Sequence, residues 1–225
     1  MGLITSVSDF STNRLRAQID RMAAELALPT HLLLILLAVE DKRFPVHRGI
    51  DAPAVIRAAW ANLNAGKWVQ GGSTITQQLI RLREPEPGWP TRRSIRVKLY
   101  QARRAIQIER VASKTTILSN YLTLAYFGRG HYGLGPASVG YFGLGPQDLR
   151  PAQSFFLVDR LAMPSKVAVS RLGNLLTRAP VRAALTDDNL EELVLIYETY
   201  FHCGDDIWRF LVRSPKKSAV PTLSY

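Results

Sequence analysis

The sequence predicts a mainly α-helical domain. Three observations lead there: apolar residues recur at helical spacing in one segment after another, no stretch alternates in the manner of a strand, and no internal repeat is present. At 225 residues and 47% hydrophobic content, the chain can bury one sizeable core with at most a small appendage.

The elements follow in order. Residues 12–27 read as an amphipathic helix, with Leu15, Ile19, Met22, Ala23 and Leu26 on one face and Pro29 beyond its end. A helix from Leu32 to Arg43 carries the apolar run LLLILLAV. After Pro45 and Gly49, a helix from about Pro53 to Asn64 is closed by Gly66, with Trp60 and Trp68 near its end. Gly71 and Gly72 then break the chain, Ser73 is the expected N-cap of a helix running TITQQLIRLR, and residues 84–90 form a proline-rich loop. The next helix, about Thr91 to Ala112, has Ile95, Leu99, Ala102 and Ile106 as its expected core stripe. Arg92, Arg93, Arg96, Arg103, Arg104 and Arg110 surround that stripe, and Lys98, Gln101, Ala105 and Glu109 form an adjacent polar edge. Lys114 to Phe127 is helical, a glycine-rich run follows, and Pro151–Ala162 and Asp188–Val212 complete the helices. The expected organisation is an N-terminal helical segment (1–29), a core (30–165), a C-terminal helical extension (166–213) and a polar tail (214–225).

A net charge of +11 and a pI near 10.1 point to an anionic partner: nucleic acid, an acidic membrane surface or a phosphorylated substrate. The lone Cys203 excludes an internal disulfide framework and a cysteine-rich metal site. No stretch approaches the roughly 18–20 apolar residues of a membrane span. The N-terminus lacks the basic start and apolar core of a secretion signal. Gly2 followed by Ser6 fits only the loose myristoylation pattern.

Two runs concentrate the chemistry. In VEDKRFPVHRGID, Glu40 and Asp41 end the apolar helix, and His47 lies seven residues past Glu40. Leu33, Leu36 and Leu37 sit seven, four and three residues before Glu40, so its side chain leaves from the edge of the apolar face. Burial and the negative helix end should both raise its pKa toward that of a general base; an ordinary solvated helix terminus is the alternative. In QGGSTITQQLIR, two glycines permit a tight turn, and the helix start offers N–H groups beside the hydroxyls of Ser73, Thr74 and Thr76, a natural anion site. Gln77 and Gln78 add donors and acceptors, and Arg81 adds a charge one turn on.

Together, in this order and at this separation, the two runs resemble the peptidoglycan glycosyltransferase family: monofunctional transglycosylases and the transglycosylase domains of penicillin-binding proteins. The family's EDxxFxxHxG is matched by Glu40, Asp41, Phe44, His47 and Gly49, and its GGSTxTQQ by Gly71 to Gln78. The third motif, RKxxE with a later acidic residue, falls on Val97, Lys98, Gln101 and Glu109, so a glutamine replaces the second site glutamate. In the fourth, ILExYLN, Ser119 and Thr123 replace the glutamate and asparagine around Ile117, Leu118, Tyr121 and Leu122. AYFGRGHYGLGPAS again resembles the family, and Gln153 stands where it usually has a glutamate. The likeness covers about residues 30–165.

The resemblance implies a lysozyme-like helical domain that polymerises lipid II as an inverting glycosyltransferase. Glu40 would be the base and Gln101 would occupy the second catalytic position. Asp41, Phe44, His47, Ser73, Thr74, Thr76, Gln77, Gln78, Arg81, Lys98 and Glu109 would bind substrate. Lys98 and Arg81, with Arg92, Arg93 or Arg96, suit the charge developing on the pyrophosphate. A divalent cation, Mg or Mn, could share that task, although the sequence offers no metal cluster. His47 could instead hold its motif together by hydrogen bonds. Arg103, Arg104 and Arg110 suit a solvated or lipid-headgroup face, and Trp60 and Trp68 suit either a membrane interface or core packing.

Expected partners are lipid II, the growing glycan strand and an anionic membrane surface, at the outer face of the bacterial plasma membrane. The sequence leaves the oligomeric state open. A glutamine at 101 cannot titrate, so the alternative is a homologue that binds lipid-linked glycan or a cell-wall partner without turnover. Nucleic-acid binding fits the charge but explains neither run, and a lysozyme-like hydrolase lacks a clear second acid.

Overall fold

Helical spacing in the sequence becomes helix in space, with the ends set by capping and turn chemistry. The computed structural model describes residues 3–67, 71–84 and 95–213; the expected loop at 85–90, Arg92, Arg93, Trp68 and the tail lie outside them. The helices are α1 (Leu3–Leu26), α2 (Thr30–Glu40), α3 (Ala52–Ala65), α4 (Ile75–Arg83), α5 (Ile95–Ile108), α6 (Lys114–Leu124), α7 (Leu134–Phe142), α8 (Pro151–Ala162), α9 (Val169–Leu176), α10 (Ala179–Ala184), α11 (Asp187–Phe201) and α12 (Gly204–Arg213). Among the described residues there is no strand, only one isolated bridge between Tyr126 and Tyr132. The mainly α class is therefore as expected.

The chain divides into two units. The first takes Met1–Thr30 and Glu40–Ala125, the second His31–Val39 and Tyr126–Tyr225, over their described residues. In the first, α4 packs on both α5 and α6, and α1 packs on α6. Ile19, Met22, Phe44, Ile75, Leu79, Ile80, Val97, Ala105, Ile117, Leu118 and Tyr121 are buried there. In the second, α11 packs on α8 and α12, and α9 on α10 and α12. Leu32, Leu33, Ile35, Leu36 and Leu37 of α2 are all buried, as expected of a helix that is apolar around most of its circumference.

A charged cluster lies inside the second unit. The Arg160 side chain is fully buried, and its guanidinium sits 4.3 Å from the Phe201 ring centroid, with Phe156 and Tyr197 at 5.2 and 5.7 Å. Asp159 accepts from Arg160, Arg171 and Tyr197, the last at 2.8 Å. Paired in this way, a buried carboxylate and guanidinium are tolerable in an apolar surround.

Several element boundaries differ from expectation. α1 begins nine residues before residue 12, at Leu3. α2 stops at Glu40 rather than Arg43, because the chain turns (Phe44 N–H donates to Asp41 O at 3.0 Å) and Pro45 disfavours helix at Phe44 and brings no N–H to continue the ladder. On α5, Leu99 is 65% exposed while Val97 and Ala105 are buried, so the core stripe is turned from the expected one and Ala105 leaves the polar edge. The glycine-rich run holds α7: Gly133 precedes it, Gly135 and Gly140 lie within it, and Gly143 closes it with left-handed φ. The expected Asp188–Val212 helix is two, α11 and α12, parted at His202, whose φ of 52° ends the first. α9 and α10 lie in a stretch with no assigned elements.

Candidate active site

The first unit gathers both chemistry-bearing runs. Thr74, not Ser73, is the N-cap of α4: its hydroxyl accepts from Gln77 N–H at 3.2 Å while the Gln77 side chain accepts from Thr74 N–H at 2.9 Å. The same hydroxyl donates to Gly49 O at 2.7 Å. Ser73, one residue earlier, is exposed.

Asp41 ties the runs together. Its Oδ2 accepts from Ile75 N–H, the first amide of α4, and from His47 Nε2, each at 2.9 Å. A buried carboxylate is stabilised at a helix N-terminus, where unpaired N–H groups and the helix dipole both favour negative charge. Gly49 N–H donates to His47 Nδ1 at 3.2 Å, which leaves Nε2 to donate to Asp41. Gly49 has φ +92°, and a Cβ there would lie 2.7 Å from the backbone of Ala105 and Ile106, so only glycine lets the loop seat against α5.

Behind this loop lies a second buried carboxylate. Glu109 takes Thr76 Oγ1 at 2.5 Å and Lys114 Nζ at 2.6 Å, with His47 Nδ1 3.7 Å away. Lys114 also lies 4.4 Å from the Phe44 ring centroid, and burial lowers its pKa against the pull of Glu109. Asp41, Phe44, His47, Thr74, Thr76, Gln77 and Glu109 thus form one interior network, their side chains engaged with protein partners.

Glu40, half-buried at the end of α2, stands at the edge of that network. Gln78 Nε2 donates to Glu40 Oε2 at 3.0 Å, and Tyr121 Oη donates to Gln78 Oε1 at 3.1 Å. Burial, with the Glu40 charge adding to it, pushes the Tyr121 hydroxyl well above its usual pKa, so it stays a donor. Arg81 is exposed three residues past Gln78, and Arg96 and Arg103 are exposed on α5. Lys98 and Gln101 are partly buried on α5, where desolvation lowers the lysine pKa. Arg104 pairs with Glu84 at 2.7 Å. Trp60, at 67% exposure, is not a core residue.

Sequence reasoning missed Lys114 and Tyr121 as site residues. A cation at the first position of a helix opposes the dipole, which is a signal that a nearby acid holds it, and a tyrosine among apolar neighbours needs a partner for its hydroxyl. Among the described residues no three His, Cys, Asp or Glu side chains are grouped to hold a metal ion. Gln101 offers no carboxylate, and Glu109 is engaged by Lys114 and Thr76.

A lysozyme-like helical domain, with one partly exposed carboxylate fixed by an amide at the edge of a buried polar network, is the class that fold and site define. The chain belongs to the transglycosylase family: the family model described as Transglycosylase matches residues 8–185. It is similar to penicillin-binding protein 1A of Aquifex aeolicus, at 35% identity over 179 residues, 74% of this chain and 24% of the relative. Penicillin-binding protein 1C of Escherichia coli is 37% identical over 136 residues, 60% of this chain and 17% of the relative. Penicillin-binding protein 1F of Bacillus subtilis is 38% identical over 138 residues, 61% and 19% respectively. The aligned part of the chain therefore spans a quarter or less of each of these relatives. Among the described residues no single helix is long and apolar enough to cross a membrane.

Proposed function

We propose that this chain is a peptidoglycan glycosyltransferase that joins lipid II units into β-1,4-linked glycan with inversion at the reacting carbon. The observation that carries the reading is the seat of Glu40: a half-buried carboxylate, hydrogen-bonded by Gln78 and next to the Asp41 anchor that joins both runs. In the reaction Glu40 takes the proton of the acceptor GlcNAc 4-hydroxyl. The oxygen then bonds to the anomeric carbon of the donor MurNAc, and the bond from that carbon to the pyrophosphate oxygen breaks, releasing polyprenyl pyrophosphate. A pyrophosphate leaving group needs positive charge more than a proton, and Arg81 and Lys98 supply it from α4 and α5. Asp41, His47, Thr74, Thr76, Gln77 and Glu109 act by holding the two runs in register. The net charge of +11 and the exposed arginines of α5 support a working place against an anionic membrane surface, at the outer face of the plasma membrane.

Gln101 favours a second reading, a homologue that holds lipid-linked glycan or a cell-wall partner without turnover. Polymerisation of lipid II by the wild type, Glu40→Gln and Gln101→Glu separates the two. We expect glycan chains from the wild type, none from Glu40→Gln, and equal or greater activity from Gln101→Glu. Retained lipid II binding with no product from any of the three would establish the second reading.

A further inference from the structure

We propose that Tyr121 is a positioning residue for Glu40, acting through the side-chain amide of Gln78. This inference rests on Glu40 being the base. An amide has two unlike ends, and only its NH2 end can donate to a carboxylate. Turned over, Gln78 would set its oxygen against Glu40, two acceptors with no proton between them. The carboxylate, which can only accept, selects the NH2 end, and the group on the far side of the amide holds it in that place. That group is the Tyr121 hydroxyl, which donates to Oε1 at 3.1 Å and pins the amide with its Nε2 3.0 Å from Glu40 Oε2.

The hydroxyl is itself held firmly. Tyr121 is only 2% exposed, between Ile117, Leu118 and Leu122 of α6, all buried, and α6 packs on α4, which carries Gln78 between the buried Gln77 and Leu79. Arg81 of α4 and Glu40 both act on Tyr121, Lys98 is partly buried on α5, and Asp41, next to Glu40, has its carboxylate engaged by Ile75 and His47. Removing the hydroxyl alone leaves this packing in place and frees the far end of the amide, so that Gln78 is no longer held against Glu40.

The test titrates the Glu40 side-chain carboxyl by 13C NMR in the full chain, for the wild type, Tyr121→Phe, Gln78→Leu and the double variant. A hydrogen bond to the ionised form lowers a carboxyl pKa, so its loss moves the midpoint up. Tyr121→Phe should raise it by about half a pH unit or more, Gln78→Leu by at least as much, and the double variant no further than Gln78→Leu. In the wild type, a proton–proton contact from Gln78 Nε2–H to the Glu40 methylenes is expected; its absence overturns the proposal even if Tyr121→Phe fails to fold.

In polymerisation assays, Tyr121→Phe should lose about tenfold in kcat with KM within about twofold, and the acidic limb of its pH profile should move up with the midpoint. An unmoved midpoint, or single shifts that simply add in the double variant, would assign Tyr121 to packing alone. Turnover by Glu40→Gln would instead remove the base assignment and leave the NMR result intact, so the two failures can be told apart.

Discussion

At the scale of single residues, the site depends on a few atoms that tolerate no replacement. Gly49 is the sharpest case, since any side chain meets the α5 backbone at 2.7 Å and φ is already left-handed. Gly49→Ala should destabilise the fold by about 2–4 kcal/mol in urea titration, by adding overpacking to backbone strain. His47 has a similarly narrow duty, with one nitrogen donating to Asp41 and the other accepting from Gly49, so its ring orients the loop. The sequence marked Glu40, Asp41, His47 and Gly49 as one motif through their spacing. It could not say that Asp41 and His47 face each other at 2.9 Å and turn inward, because that depends on where Ile75 begins a helix far along the chain. Lys114 escaped notice for the same reason: its partners Glu109 and Phe44 come from different segments.

Elements were legible where local chemistry ends them and obscure where packing does. Gly66 closes α3 in the left-handed conformation and Pro151 opens α8, both readable from one residue. Gln153, standing where the family usually has a glutamate, accepts Arg150 N–H at 2.9 Å, a capping role that an amide oxygen fills as well as a carboxylate. The face of α5 was misjudged because Leu99 outranks Ala105 in hydrophobicity, whereas the close approach of the Gly49 loop selects the small residue.

The joint between the end of α4 and α5 is electrostatic. Arg104 and then Tyr100 hydrogen-bond Glu84 and hold its carboxyl below its usual pKa. The folded value lies below the unfolded one, so this stabilisation is complete above the unfolded carboxyl pKa of about 4.3 and is lost as pH falls through the folded value. The melting-temperature gap between wild type and Glu84→Gln should therefore hold steady from neutral pH to about 5 and close below about 4. A gap that widens in acid would contradict the assignment.

For the whole molecule, the two units rest on different interiors. The second encloses Arg160 without exposure among Phe156, Tyr197 and Phe201, with Asp159 as its counter-ion. Arg160→Met should cost about 3 kcal/mol by leaving a buried carboxylate short of a partner, and Asp159→Asn combined with it should recover part of that loss in equilibrium unfolding. The first unit is organised instead by the double engagement of Asp41. Because one carboxylate fixes the start of α4 directly to the residue after Glu40, the alignment of Glu40 with Gln78 is set by short covalent paths on either side of that bond. The start of α3 packs close to Gly72, whereas nothing lies within 4 Å of a Cβ placed at Gly66, at the far end of α3. An insertion directly after Gly66 should leave the chemistry where it is, which makes that turn the natural place to graft a reporter or a second binding loop.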